Sequence, residues 1–225
     1  MIVLLHGFAS AGEGQKAQML RAAFPEEPVW APTLPVSPLD ALKLITKKVD
    51  DHLEPKGSVS RCARLADEKD DDQEMIGGRG QKVVRQGVSF VGTSFGGFYA
   101  AWLGLRYGAP ALLINPVMKP SQHLRKYLGT RTNLKTGEPF EWKEVYHEEL
   151  FQLETDMMAK MSSARFRVIL GSRDTQVLPQ SVRHFFSAQR LFDFKIQEYD
   201  DEHRFLRSLP QVLNDPQIQL FLQMR

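Results

Sequence analysis

The sequence predicts an α/β fold, an open and mostly parallel sheet of about six strands with helices on both faces. Two observations predict it. Short apolar runs of three to six residues, the length of buried parallel strands, recur along the chain. Longer stretches whose apolar residues have helical spacing lie between these runs. Strands that alternate with helices in this way pair in parallel, because each crossover returns the chain to the same edge of the sheet.

The predicted elements follow one another regularly. The predicted strands are the apolar runs at residues 2–5, 29–31, 88–91, 111–114, 166–170 and 194–199. The predicted helices cover residues 13–24, 38–53, 98–107, 179–186 and 211–223. The first helix ends at Pro25 and the third at Gly108, residue types that commonly end a helix. The second has Leu39, Leu42 and Ile45 at helical spacing, which gives it one apolar face.

Composition favours an ordinary globular domain. With 225 residues, 42% of them hydrophobic and 25% charged, we expect a single domain over residues 1–225. A net charge of +2 argues against nucleic acid as the main partner. The first residues lack the positive region of a secretory leader, and no apolar run approaches a membrane span of about 18 residues. The single cysteine, Cys62, excludes an internal disulfide, so we expect a cytoplasmic protein without a membrane partner.

Two stretches interrupt the alternation of strands and helices, and the first is residues 57–86. This stretch is charged, contains glycines and has few large apolar side chains, so it predicts a mobile surface insertion. The alternative is a metal-binding loop, in which Asp67, Asp70 and Asp72 would hold a hard cation. Calcium loops place glycine and carbonyl ligands at fixed offsets, and this run lacks them. We expect Cys62, within the same stretch, to be a bystander thiol.

The second interruption is residues 115–165, which we expect to form a small cap region, because so long an excursion is usually functional. It contains a turn at residues 135–139 and an acidic, methionine-rich stretch predicted as a helix over 142–161. Met157, Met158 and Met161 either line an acyl pocket, since methionine adapts to irregular shapes, or pack in the core.

A catalytic motif lies between the third predicted strand and the following helix. Residues 92–96 read Gly-Thr-Ser-Phe-Gly, a Gly-x-Ser-x-Gly pattern. In that context the pattern resembles the nucleophile elbow of α/β-hydrolases, where a strained turn lifts the serine hydroxyl clear of the sheet. The alternative is a glycine-rich turn of a dinucleotide-binding fold, but the Gly-x-Gly-x-x-Gly order is missing. The motif therefore predicts Ser94 as a nucleophile.

A serine nucleophile needs a histidine base, which in turn needs an orienting acid. In the elbow-bearing fold the chain order is serine, acid, histidine, so the base is sought after Ser94. His203 directly follows the last predicted strand and is the predicted base; the alternative is a solvated loop histidine. His123 and His147 fall in the long excursion, and His184 falls within a predicted helix.

Asp174, just past the fifth predicted strand, is the predicted acid. One alternative is that Asp174 caps the helix that begins near residue 179. Another is that Asp200, Asp201 or Glu202 orients His203, although a sequence neighbour of the histidine usually points elsewhere.

The predicted oxyanion hole consists of two backbone N–H groups. One belongs to Phe95, the residue after the nucleophile, and the other to Phe8 in the loop after the first strand. Gly7 gives the backbone of that loop the freedom to turn its N–H toward the site. His6 precedes the nucleophile and is predicted to support the loop rather than to act as the base.

Several runs resemble a family of small bacterial esterases of the YqiA/YcfP type. They are Leu-His-Gly-Phe-Ala-Ser at 5–10, Val-Gly-Thr-Ser-Phe-Gly-Gly-Phe-Tyr-Ala at 91–100 and Ile-Asn-Pro-Val-Met-Lys-Pro at 114–120, with shorter matches at 127–129 and 136–138. The resemblance spans nearly the whole chain except 57–86. It implies an α/β-hydrolase fold and ester hydrolysis by Ser94, Asp174 and His203. The chain departs from the family in the charged insertion, in the acidic residues 200–202, and in the Ser-Arg pair before the acid.

The sequence therefore supports a main hypothesis and two alternatives. The first is a serine hydrolase that cleaves carboxylic esters or thioesters of small acyl groups through an acyl-enzyme, without metal or cofactor. Phe8, Phe95 and Phe98 near the elbow favour an apolar acyl group. The second is a non-catalytic protein of the same fold that binds a ligand or a partner. The third is another acyl-transfer reaction on the same residues, such as peptide hydrolysis. The expected partner is a small-molecule ester, and the oligomeric state stays open.

Overall fold

A central parallel sheet organises the computed structural model, which describes residues 1–54, 87–189, 191 and 193–224. The predicted insertion 57–86, with Cys62, lies outside the described residues. The strands are β1 (Ile2–Leu5), β2 (Val29–Trp30), β3 (Ser89–Thr93), β4 (Ala111–Ile114), β5 (Gly129–Thr132), β6 (Pro139–Trp142), β7 (Arg165–Gly171) and β8 (Asp193–Tyr199). The helices are α1 (Gln15–Ala23), α2 (Pro38–Leu53), α3 (Phe95–Tyr107), α4 (Pro120–His123), α5 (Val145–Ala159), α6 (Pro179–Ser187), α7 (Leu209–Leu213) and α8 (Pro216–Gln223).

Six of these strands form the main sheet, in the order β2-β1-β3-β4-β7-β8, and every adjacent pair is parallel. This confirms the predicted fold class. The carboxyl ends of parallel strands meet at one edge of a sheet, where α/β proteins place their ligand sites. The segments that follow β1, β3, β7 and β8 therefore lie close together although they are far apart in sequence.

The two faces of the sheet are covered by different helices. Helices α2, α3, α5 and α6 contribute buried side chains to one face, and α1, α7 and α8 contribute theirs to the other. Alternate residues of β1 divide between the faces: Val3 and Leu5 contact the first group, and Ile2 and Leu4 contact the second. All four are buried, as expected for a strand covered on both sides.

The predicted helix over 211–223 is wrong as a single helix, because the chain forms α7 and α8 there. Pro216 occupies the first turn of α8, and the Asp215 carboxylate accepts a hydrogen bond of 2.8 Å from the Gln217 amide. A proline with an aspartate before it starts a new helix more readily than it continues an old one. No helix among the described residues combines the length and the apolar character that crossing a bilayer requires.

The predicted helix over 142–161 is also wrong at its beginning. Trp142 is the last residue of β6, which pairs antiparallel with β5, and α5 begins only at Val145. The predicted turn at 135–139 lies at the tip of this hairpin. The Asn133 side-chain oxygen organises the tip, since it accepts hydrogen bonds from the amides of Lys135 and Thr136.

Candidate active site

Ser94 occupies a sharp turn between β3 and α3. Its backbone has φ 54° and ψ −122°, a conformation that an L-residue adopts only under strain. The glycines two residues before and after it are required by the close approach of neighbouring backbone. A Cβ on Gly92 would lie 2.1 Å from the Gly96 carbonyl oxygen, and a Cβ on Gly96 would lie 2.1 Å from the Leu5 carbonyl oxygen. The Gly-x-Ser-x-Gly spacing is therefore a steric requirement of this turn.

Hydrogen bonds hold the strained turn in place. The Ser94 amide donates to the Ile114 carbonyl at 2.9 Å. The Ser94 carbonyl accepts from the amides of Gly97 and Val117, at 2.9 and 3.0 Å. Strand β4 and the segment after it therefore hold the backbone of Ser94 in its strained conformation. Such strain persists in a folded protein only where surrounding contacts fix it in this way.

The structure brings Ser94, His203 and Asp174 together in one hydrogen-bonded chain. His203 Nε2 lies 3.0 Å from Ser94 Oγ, and His203 Nδ1 lies 2.7 Å from Asp174 Oδ2. With the proton on Nδ1 donated to the carboxylate, Nε2 faces the hydroxyl as an acceptor. The Asp174 side chain is 0% exposed and that of His203 is 17% exposed, so the acid is shielded while the base reaches the surface of the site.

Asp174 is held by its own turn. Its Oδ1 accepts hydrogen bonds from the amides of Gln176 and Val177, at 2.8 and 2.9 Å, and this leaves Oδ2 directed at the histidine. The residue that caps α6 is Leu178, so Asp174 is not the cap of that helix. The carboxylate combines two neutral donors with one imidazole, an arrangement suited to orienting a base.

The acidic residues before His203 have other partners. Asp200 is exposed and pairs with Arg173 at 2.8 Å and with Arg207 at 2.6 Å. The hydrogen bond from Arg207 lowers the pKa of Asp200, and the charge of Arg173 contributes in the same direction. Asp201 is buried and accepts from the amides of Glu202 and Ser208. Neither aspartate contacts the His203 ring; both brace the loop that carries it.

Asn115 is a site residue whose role the sequence did not reveal. Its side-chain amide donates to the carbonyls of Glu202 and His203, both at 3.2 Å, and its oxygen accepts from the Gly171 amide at 2.7 Å. It is buried and has a positive φ of 45°. One side chain therefore ties the loop of the base to the end of β7, from which the acid follows. The only signal was its place in the Asn-Pro run after β4.

The loop after β1 passes directly against the nucleophile. A Cβ on Gly7 would lie 3.2 Å from Ser94 Cβ and 3.7 Å from Ser94 Oγ, so a larger residue would crowd the hydroxyl. Within the described part of the chain, the amides of Phe8 and Phe95 donate to no protein acceptor. Among the described residues, both predicted oxyanion donors are therefore free to bind a ligand oxygen.

His6 supports this loop. Its Nε2 accepts from the Leu34 amide at 2.9 Å, and its Nδ1 lies 2.8 Å from the Gly7 carbonyl oxygen. Burial lowers the pKa of His6, while the bond to Gly7 opposes that shift. The neutral ring, with its proton on Nδ1, satisfies both contacts at once.

A small aromatic cavity opens beside the oxyanion loop. Its volume is about 50 Å³, and its lining includes Phe8, Leu34, Phe95, Tyr99, Phe140 and Trp142. The Phe8 ring stacks on Tyr127 and meets the rings of Phe140 and Trp142 edge-on, with centroids 4.9–5.6 Å apart. Phe98 is not part of the lining and packs in the core.

A larger groove of about 740 Å³ lies between α4 and α6. Met158, which is 40% exposed, lines it, whereas Met157 and Met161 are buried in the core. His123 and His184 also line this groove. His147 does not: it is buried, with Nδ1 2.8 Å from the Ser121 carbonyl oxygen and Nε2 accepting from the Trp142 indole. Of the methionines and histidines whose roles the sequence left open, Met158, His123 and His184 line the groove, and the other three are buried.

Comparison with known families gives one extended match. The sequence profile of UPF0227, described as an uncharacterised protein family, matches residues 35–213. That span includes Ser94, Asp174 and His203. Most of the chain is therefore accounted for by a single family.

Solved structures give the same architecture at low identity. Est1E from Butyrivibrio proteoclasticus with bound ferulic acid has a TM-score of 0.63 and 14% identity, covering 100% of this chain and 89% of that chain. A monoacylglycerol lipase from Paleococcus ferrophilus has a TM-score of 0.60 and 13% identity, with coverages of 99% and 93%. Mouse alpha/beta hydrolase domain-containing protein 10 has a TM-score of 0.66 and 13% identity, with coverages of 100% and 90%. At these identities the likeness establishes the α/β-hydrolase fold alone.

Proposed function

We propose, from the premise that the chain belongs to the uncharacterised protein family UPF0227, that it is a serine hydrolase acting on carboxylic esters or thioesters of small apolar acyl groups. Membership confirms the resemblance to YqiA/YcfP-type esterases found in the sequence. The observation that carries the proposal is the continuous contact from Ser94 Oγ through the His203 ring to Asp174, at 3.0 and 2.7 Å. That order of groups activates a hydroxyl that is otherwise a poor nucleophile.

In the first half of the proposed reaction, Ser94 Oγ attacks the acyl carbon while His203 Nε2 takes the hydroxyl proton. Asp174 stabilises the imidazolium that forms and keeps the ring oriented. The amides of Phe8 and Phe95 stabilise the negative charge that develops on the carbonyl oxygen. His203 then gives its proton to the leaving oxygen or sulfur as the bond from that atom to the acyl carbon breaks.

In the second half, a water molecule attacks the acyl carbon of the acyl-enzyme. His203 takes a proton from the water and returns it to Ser94 Oγ, so that the free carboxylic acid leaves and the enzyme is regenerated. Each oxyanion donor typically contributes about 10²- to 10³-fold to the rate in such a site. No step needs a metal or a redox cofactor.

The small aromatic cavity supports a short, apolar acyl group. It lies beside the Phe8 amide, and its walls are the rings of Phe8, Phe95, Phe140 and Trp142. Its small volume, about 50 Å³, favours a short acyl group. Longer chains would have to displace aromatic side chains that pack against one another.

Labelling by a fluorophosphonate probe tests the proposal against the non-catalytic alternative. Such a probe reacts with an activated serine, so we expect wild-type protein to be labelled and Ser94→Ala to be spared. Ser172→Ala, which changes an exposed serine at the same sheet edge, serves as the matched control and should label fully. A folded wild-type protein that takes no label would favour a ligand- or partner-binding role.

A series of p-nitrophenyl esters tests the acyl preference. We expect kcat/KM to be highest for short acyl chains and to fall as the chain lengthens. Leu34→Ala enlarges the cavity and should shift the optimum to longer chains, whereas Leu220→Ala, an exposed position on α8, should not. Matched amide substrates separate ester from peptide hydrolysis; faster cleavage of the amides would contradict the esterase assignment.

A further inference from the structure

The larger groove begins beside the reacting groups. Val117, part of its lining, donates its amide to the Ser94 carbonyl at 3.0 Å. Val177, also in the lining, donates its amide to Asp174 Oδ1 at 2.9 Å. His123 lies within electrostatic range of His203: burial lowers the pKa of His123, the charges of Lys126 and His203 lower it further, and the carboxylate of Asp174 opposes the shift. Two residues of the groove lining are therefore in direct contact with the segments that carry Ser94 and Asp174.

The chemistry of acyl transfer decides which half of a substrate lies on which side. The leaving oxygen must receive its proton from His203 Nε2, so the leaving group has to extend toward the histidine. The acyl oxygen must point at the amides of Phe8 and Phe95, next to the aromatic cavity. A cavity of about 50 Å³ suits a short acyl group, and the groove of about 740 Å³ suits a much larger leaving group.

The described lining of the groove carries one formal charge, the ammonium group of Lys119, and two histidines that add ring nitrogens. Its lining includes Lys119, His123 and His184 and contains no aspartate or glutamate. In the part of the chain that the structure describes, none of these three side chains pairs with a carboxylate. Glu154 is close enough to Lys119 for the lysine to lower its pKa, but burial raises that pKa more, and both its oxygens accept from Ser121. The nitrogen donors of the groove are thus available to a ligand.

We propose that this groove binds the leaving group of the ester and selects leaving groups that carry a carboxylate or another oxyacid anion. The proposal rests on the proposed hydrolase function and extends it to the second half of the substrate. In the reaction, the bond between Ser94 Oγ and the acyl carbon forms and the bond from that carbon to the leaving oxygen breaks. That oxygen takes the proton that His203 received from Ser94, and the anionic substituent keeps its charge throughout.

A matched pair of substrates tests the assignment. The butyryl esters of 4-hydroxybenzoate and 4-hydroxybenzamide have nearly the same shape and differ in the charge at the far end of the leaving group. We expect kcat/KM at low ionic strength to be roughly three- to tenfold higher for the carboxylate ester. The preference should shrink as salt is added, because the charges involved are partly exposed.

For each variant, the ratio of kcat/KM for the carboxylate ester to kcat/KM for the amide ester is compared with the same ratio in wild type. The intrinsic reactivities of the two esters then cancel. Lys119→Gln combined with His184→Gln should reduce the ratio by about threefold or more. Both side chains are exposed, and the melting temperature verifies that the variant is folded. Lys195→Gln is the matched control, because Lys195 hydrogen-bonds Gln217 of α8, away from the groove, and this variant should keep the wild-type ratio.

Two failures are distinguishable. If the double variant keeps the wild-type ratio, or if Lys195→Gln changes it equally, the groove assignment is overturned while the hydrolase stands. Labelling of Ser94 without turnover of the carboxylate ester has the same meaning. If neither ester is cleaved and Ser94 takes no fluorophosphonate label, the hydrolase proposal itself fails, and the groove assignment fails with it.

Discussion

The two sides of the candidate site are built in different ways. On the triad side, each of Ser94, Asp174 and His203 lies in the segment directly after a strand of one parallel sheet. On the aromatic side, the Phe8 ring meets Tyr127, Phe140 and Trp142 from the 115–165 segment. The pairing of the parallel strands brings Ser94, Asp174 and His203 together. The aromatic contacts of Phe8 depend instead on how the 115–165 segment, with its hairpin, packs against the loop after β1.

The aromatic side also holds the backbone of the oxyanion loop. At the hairpin tip, the Leu134 amide donates to the Ala9 carbonyl at 2.8 Å, and the Asn133 side chain donates to the Ser10 carbonyl at 2.9 Å. Ala9 has a positive φ of 53°, so these contacts maintain a backbone that would otherwise relax. The side chains of the proposed triad are thus positioned by the sheet, whereas the loop that carries the Phe8 amide is held by the 115–165 segment.

The largest expected effect is on the triad side. Ser94→Ala removes the nucleophile, and we expect kcat for p-nitrophenyl butyrate to fall by roughly 10⁵-fold or more. The melting temperature should stay close to that of wild type, because the turn is held by backbone bonds. Initial rates with the Ser172→Ala control provide the reference. Residual activity within tenfold of wild type would place the nucleophile elsewhere.

Asp174→Asn should come next. The amide still fits the turn but no longer stabilises the protonated His203, so we expect a loss in kcat of about 10⁴-fold. The matched control is Asp200→Asn, whose carboxylate is exposed and pairs with Arg173 and Arg207; we expect a change of less than about twofold. Comparable losses in the two variants would return the acidic residues before His203 to consideration as the orienting group.

The parallel sheet was predictable because each central strand is marked by the residues of its own short segment. The central strands β1, β3 and β4 are short, mostly apolar runs in which every residue is buried, and the turn between β3 and α3 requires its own two glycines. Asp174 and His203 could be predicted for the same reason, because each lies in the segment directly after a strand. The break between α7 and α8 was predictable in principle, because Asp215 and Pro216 are a capping signal within a helical pattern.

The hairpin β5–β6 and the role of Asn115 were not predictable in this way. Residues 129–132 are polar and partly exposed, so no apolar alternation marks them as a strand. Asn115 acts by bridging two loops that are 56 and 88 residues away in sequence. Contacts of that range depend on the packed fold, and neither composition nor spacing near Asn115 contains them.

A smaller effect is expected where the hairpin holds the oxyanion loop. Asn133→Ala removes the bond to the Ser10 carbonyl and the support of the hairpin tip. We expect kcat to fall by roughly tenfold with little change in KM, because a displaced Phe8 amide weakens transition-state binding more than substrate binding. Thr130→Ala, which removes an exposed bond to Glu141 within the same hairpin, should keep kcat within about twofold. A rise in KM at constant kcat would instead assign Asn133 to substrate binding.

The smallest expected effect concerns the pH dependence of stability on the aromatic side. Burial lowers the pKa of His6 below its ordinary value of 6.5, so the unfolded chain binds a proton at this residue more readily than the folded one. Stability contributed by the neutral ring is therefore present above pH 6.5 and is lost as the pH falls through that value toward the folded pKa.

Protonation would also remove the acceptor that Nε2 offers to the Leu34 amide. His6→Gln provides an acceptor that does not titrate, so this variant should lose less of its melting temperature between pH 7.5 and pH 5.5 than wild type does. Thermal unfolding followed by circular dichroism at both pH values measures the difference. Equal losses in the two proteins would mean that the oxyanion loop does not depend on a neutral His6, and that the hairpin contacts alone hold Phe8 in place.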